Sequence, residues 1–159
     1  MAKILPSLDA IKPSAGEDEP KPTKSLPVIL QDLLNASFML YLKAHKYHWN
    51  VTGMNFQQLH ELFGEIYEDV FGGIDPLAEN IRKLGVMADV SPGAGVGAAT
   101  SDTAMISDLV AANDSLIVML KDAEEAACYY EEEAIANFLA DRLGMQQKWA
   151  WQLKACLGR

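Results

Sequence analysis

Apolar residues recur along most of this chain at spacings of three and four, the repeat of a helix that buries one face. Leu26, Leu30, Leu33, Ser37, Leu40, Ala44 and Tyr47 form the first stripe. Ser25 precedes it as an N-cap, and Pro27 sits in the first turn, where a missing N–H does no harm. Asn50 and Gly53 close it. A second stripe starts near Asn55 and runs through Phe56, Leu59, Phe63, Ile66, Val70, Ile74, Leu77, Ile81 and Leu84 to a stop at Gly85. Inside it, Gly72, Gly73 and Pro76 predict a bend near residue 72, because a proline removes one backbone bond. Residues 85–100, with Gly93, Gly95, Gly97 and Pro92, read as a loop. Ser101 or Asp102 then caps a third helix through Met105, Leu109, Ala112, Leu116, Met119, Ala123 and Ala127. A fourth helix covers roughly 132–157, with Ile135, Leu139, Trp149 and Leu153 inward and Arg142 and Gln146 interrupting the stripe. The prediction is an all-α four-helix bundle. A short link makes its first two helices antiparallel neighbours, and a long connection joins the second to the third.

Composition narrows the class. The chain has 159 residues, half of them hydrophobic and 22% charged, which suits one globular domain. Residues 1–24 are Pro-rich and too polar to pack, so the expected division is a tail at 1–24 and a bundle at 25–159. The tail's four lysines and four acids cancel, leaving the net charge of −9 on the bundle. An acidic body argues against a general nucleic-acid binder and suits a protein that handles cations. Two cysteines, Cys128 and Cys156, are too few for a disulfide framework and fit a reducing, cytoplasmic setting. The N-terminal segment lacks the apolar run of a signal peptide. Asn35, Lys43 and Lys46 break the most apolar stretch, so no membrane span is expected.

All three histidines, His45, His48 and His60, fall within sixteen positions. Asp75 and Glu79 follow at i, i+4 on the second helix, so both project from one face. Imidazole with carboxylate suits iron or another first-row metal, zinc included, better than calcium or magnesium. Fifteen residues of helix separate His60 from Asp75, about 22 Å at 1.5 Å per residue. One subunit cannot close that gap. His48 and His60, by contrast, flank a single turn and can meet. A two-fold dimer joins the halves, the histidine end of one chain meeting the acidic segment of its mate, with two sites per dimer. The chain contains no Glu-x-x-His, the motif of a di-iron centre inside one bundle.

The run from Tyr47 through His48, Trp49, Asn50 and Gly53, then Phe56, His60 and Phe63, then Asp75, Glu79, Arg82 and Gly85, resembles the Dps miniferritins (DNA-binding proteins from starved cells). Lys148, Trp151, Gln152 and Leu153 are similar to that family's fourth-helix ending. The resemblance covers about residues 25–157. It implies a ferritin-like bundle in a hollow homododecamer that takes up Fe(II), oxidises it at dimer interfaces with hydrogen peroxide, and stores ferric mineral. Iron (Fe2+/Fe3+) would be held by His48 and His60 of one chain and Asp75 and Glu79 of another. Trp49 is expected beside the site, as a sink for stray oxidising equivalents. Three departures stand out. Gly64 replaces the acid common four positions after the second histidine, which weakens a second iron or leaves it to water, Glu65 or Glu68. Asn137 replaces a pore-lining Asp, with Glu133 and Asp141 one turn to either side. The tail lacks the Lys-rich bias of DNA-binding members.

Each residue also has a plainer reading. His48 and His60 would be hydrogen-bonded interface histidines, His45 an ordinary helix residue, and Asp75 and Glu79 a solvated face or partners of Arg82. The Trp residues would be packing groups. Glu131, Glu132 and Glu133 would be a solvated helix start, favoured there by the helix dipole. Met105, Met119 and Met145 fill core gaps, and the glycines at 93–97 lack the Lys-Ser/Thr of a phosphate cradle. Two rivals follow for the whole chain: a DNA-compacting shell with vestigial iron chemistry, and a bundle with no metal.

Overall fold

The first apolar stripe becomes helix α1 (Leu26–Asn50), but Ser25 contributes only its extended backbone, because its side chain makes no capping bond. Its carbonyl accepts from the amides of Val28 and Ile29 at 3.0 and 3.1 Å. The computed structural model describes residues 21–91, 93 and 95–159, so most of the expected tail, residues 1–20, lies outside the described residues. The second stripe is α2 (Phe56–Lys83), a single helix assigned without a break through Gly72, Gly73 and Pro76. Helices α3 (Asp102–Tyr129) and α4 (Glu133–Cys156) complete the described elements, none of which is a strand. Of the two candidate caps for α3, Ser101 takes the role, its side chain accepting from the Ala104 amide at 3.3 Å.

Helix α1 packs along α2 and α3 along α4, and a contact between α1 and α3 joins the two hairpins. Nearly every stripe residue is buried in one continuous core, each large aliphatic chain contributing roughly 1.5–3 kcal/mol. Phe56 is the exception in α2, being exposed. In α3 the inward positions fall on Asn113 and Leu120 more than on their neighbours Ala112 and Met119. By length and composition α3 is the one described helix apolar enough to cross a membrane; here it packs on α1 and α4.

The long connection is clasped to α1. Gln31 exchanges hydrogen bonds with the Asp89 backbone, and Asn35 accepts from the Ser91 amide at 3.0 Å. Lys46 Nζ donates to the Val96 and Gly97 carbonyls at 2.9 and 2.6 Å. Buried Tyr47 donates to Asp108, which also receives Lys43 Nζ at 2.7 Å. Burial, with the Asp108 carboxylate beside it, pushes the Tyr47 hydroxyl up to about 12. Burial alone would raise the Asp108 carboxyl, yet the bonds from Lys43 and Tyr47 outweigh it and hold the group below the ordinary range. Gly97 has φ +51°, and a Cβ there would collide with the Tyr47 hydroxyl and lie 2.7 Å from Asp108 Oδ2. Gly97→Ala should therefore cost roughly 3 kcal/mol, overpacking added to left-handed strain, read as a lower urea midpoint.

The turn between α3 and α4 carries the opposite lesson. Glu131 sits at φ 58°, the one described non-glycine residue with positive φ. It closes a Schellman motif, with Glu132 N donating to Ala127 O at 2.9 Å and Glu131 N to Cys128 O at 3.0 Å. Glu131→Gly should stabilise the fold by about 0.5–1 kcal/mol, the strain relieved exceeding the entropy that glycine adds to the unfolded chain. Thermal unfolding checks it.

The interruption of the α4 stripe has a partner on α2. Arg142 donates to both oxygens of Asp69 at 2.9 and 2.7 Å, and Trp149 Nε1 donates to the same carboxylate at 2.8 Å. Burial would raise the Asp69 carboxyl, but the Arg142 and Trp149 bonds together hold it below the usual value. Gly73 makes the room: a Cβ there would stand 2.8 Å from Arg142 Nε.

Candidate metal centre

His48 lies in the last turn of α1 and His60 in the second turn of α2, so the short link at residues 51–55 folds one onto the other. Their rings stack with centroids 3.7 Å apart and planes 20° from parallel. His48 Nδ1 lies 2.7 Å from the His60 carbonyl, and His60 Nδ1 lies 2.8 Å from the His48 carbonyl. A carbonyl can only accept, so each ring carries a proton on Nδ1, and the neutral imidazole then has its lone pair on Nε2. That is the tautomer a metal-ligating histidine needs, with orientation and basicity set by the backbone behind it. The plain reading of a hydrogen-bonded pair and the metal reading thus describe the same geometry: the bonds consume Nδ1 and leave Nε2.

Gly64 acquires a steric reason. It is buried one turn beyond His60, and a Cβ there would press on the His48 ring at 3.3 Å from Nδ1 and 3.4 Å from Cε1. The residue that the sequence reading treats as a missing ligand is the space into which His48 fits. Tyr67 is a second neighbour that reading overlooks. Its ring meets His48 edge-on at 5.2 Å and stacks on His45 at 4.0 Å. His45 is wedged between Tyr67 and Trp49, whose ring centroid is 4.2 Å away. Burial, and then the nearby His48, lower the His45 imidazole below its ordinary value. Trp49 remains 65% exposed, and its ring contact is with His45.

Asp75 and Glu79 occupy an exposed face of α2, one turn apart. Arg82 is not their partner, since its guanidinium donates to the Val86 carbonyl at 3.0 Å. Neither acid is in an ion pair among the described residues. No three His, Cys, Asp or Glu side chains of one chain converge among the described residues, so neither these acids nor Glu65 and Glu68 complete the histidine pair within the subunit. The pair thus presents two nitrogen donors and no anionic ligand from the described residues of its own chain. On α4, Glu133, Asn137 and Asp141 are all exposed at successive turns.

Residues 28–159 match the family model of the ferritin-like domain. The chain is 36% identical over 127 residues to a DNA protection during starvation protein of Brevibacillus brevis, covering 75% of this chain and 85% of that one. The structure of a Dps protein from Vibrio cholerae O1, described as belonging to a superfamily of ferritin-like diiron-carboxylate proteins, is similar at TM-score 0.77 and 28% identity, covering 83% and 88% of the two chains. Dps from Thermosynechococcus elongatus aligns at TM-score 0.79 and 25% identity, over 84% and 90%. With its four helices, its long second connection and its paired histidines, this chain belongs to the Dps miniferritins of the ferritin-like superfamily.

Proposed function

We propose that the protein is a cytoplasmic iron-oxidising and iron-storing shell, in which Fe(II) is bound between His48 and His60 of one subunit and Asp75 and Glu79 of its two-fold mate. The observation that carries this reading is the histidine pair, with both Nδ1 atoms tied to backbone and both Nε2 atoms left as donors. The unpaired acids on an exposed helix face supply the matching half. Trp49, Phe56 and Phe71 are exposed apolar groups on the same two helices, with exposed Met54 in the link between them, a surface that favours burial against a second copy.

In this reading, two Fe(II) ions each give one electron to one hydrogen peroxide. Its O–O bond breaks, both oxygens are reduced to the level of water, and hydrolysis of Fe(III) deposits ferric oxyhydroxide while releasing protons. The carboxylates favour the more highly charged product, and reaction inside protein keeps hydroxyl radical out of free solution. Glu133 and Asp141 flank the route by which iron enters, in place of the acid absent at Asn137.

The proposal is tested by mass and by iron. The assembled protein should have about twelve times the chain mass, a closed shell built on repeated two-fold contacts. Mixing it with Fe(II) and peroxide should give a rapid rise in ferric absorbance, whereas a metal-free bundle would leave iron at its uncatalysed rate. The acidic body speaks against the DNA-compacting alternative. A gel shift with duplex DNA at about 150 mM salt should show no retention, since the phosphate contacts that survive such salt require a basic surface.

A further inference from the structure

At the middle of the bundle, all four helices border a cavity of about 20 Å³, lined among others by Ser37 of α1, Gly73 of α2, Leu116 of α3, and Arg142 and Gln146 of α4. Gln146 is 1% exposed, and its Oε1 has no hydrogen-bond partner among the described residues. Its backbone carbonyl is engaged by Asn113 Nδ2 at 2.8 Å, which anchors α4 to α3. Ser37 Oγ donates to the Leu33 carbonyl at 2.9 Å and keeps its acceptor lone pairs. Arg142 gives two N–H groups to Asp69 and has three more.

We propose that this cavity is a binding site for one water molecule, which accepts from Arg142 and donates to Gln146 Oε1 and Ser37 Oγ. The volume decides the size of the ligand: a water needs about 10–15 Å³ of such space, and a second one does not fit. The walls are mostly apolar, and it is the polar groups of Ser37, Arg142 and Gln146 that decide for a water, which needs roughly two to four such partners. Charge decides against an ion. A cation would face the Arg142 guanidinium, and an anion would face the Gln146 amide oxygen. The three bonds satisfy an otherwise orphaned amide oxygen and cross-link α1 to α4 at mid-bundle. Bundle cores of this kind hold metals between carboxylates of facing helices. Here an internal ion pair and one water fill that layer, which leaves metal chemistry to the surface histidines.

Crystal structures of the assembled full chain and of Gln146→Leu at atomic resolution test the site. The parent should show one peak at hydrogen-bond distance from Gln146 Oε1 and Ser37 Oγ, and the leucine variant none. An empty cavity in the parent, or a Gln146 amide turned onto a protein partner, overturns the proposal. Should the leucine variant fail to fold, Ser37→Ala gives the second reading. Loss of one of three partners should raise the water's displacement factor relative to its protein neighbours, and an unchanged water overturns the assignment.

Discussion

A one-to-one mixture of two inactive variants, His48→Ala/His60→Ala and Asp75→Asn/Glu79→Gln, reassembled together, is expected to regain roughly a quarter of the parental ferroxidase rate. Random pairing makes half of the dimers mixed, and each mixed two-fold interface holds one complete site and one doubly defective site. Each variant alone should fall by about 100-fold or more, because even groups that merely support a metal ligand are worth about 10–100-fold in affinity. Stopped-flow absorbance after mixing with Fe(II) and peroxide reads the rate, and mass spectrometry verifies that mixed shells have formed. Mixed shells without recovery would mean that the ligands are not shared across the interface. Parental rates in the separate variants would mean that these are not the ligands at all. The physical basis is the length of α2, which holds the two halves of the ligand set about 22 Å apart in any one chain.

A large stability effect with its own pH signature is expected at the centre of the bundle. Arg142→Met should cost roughly 3 kcal/mol at neutral pH, the low end for breaking a buried pair, since the Arg142 and Asp69 side chains retain 17% and 18% exposure. The loss has a definite pH dependence. Asp69 is held below its unfolded value by Arg142 and Trp149 against the opposing effect of burial. Its stabilisation is therefore complete above the unfolded carboxyl value near 4 and disappears as pH falls through the lower, folded one. Without Arg142, only Trp149 and Lys148 oppose burial, and Asp69 takes up a proton more readily. Parent and variant should converge only as pH falls below about 4 and through the parent's lowered folded value, beneath which both hold a protonated Asp69. Urea midpoints at neutral and at acid pH measure both branches. A constant gap across that range would show that Arg142 acts through packing alone.

The helices were legible because each stripe is regular: Leu26 to Tyr47 in α1 and Leu59 to Ile81 in α2 bury the positions that their spacing marks. The twelve-residue interval between His48 and His60 likewise foretold that they meet across one turn. The sequence could not reveal how they meet. The reciprocal bonds run to backbone carbonyls, which every residue possesses, so no side-chain pattern records them. The same holds for Gly64 and Gly73, whose meaning is the volume of a distant ring or guanidinium. Arg142 and Gln146 looked like breaks in a stripe because periodicity scores polar residues as outward. Both turn inward, one toward a carboxylate 73 positions away and the other toward the cavity.

By itself the sequence determined the four helices, their order, and which of the histidines and acids share an element, since these follow from local spacing along a rod of known rise. Only the tertiary structure decided which nitrogen of each imidazole is left bare, why glycine stands where an acid was expected, and what neutralises the charged centre of the bundle. Those outcomes depend on atoms far apart in the chain, brought within a few ångströms by burial of the apolar faces.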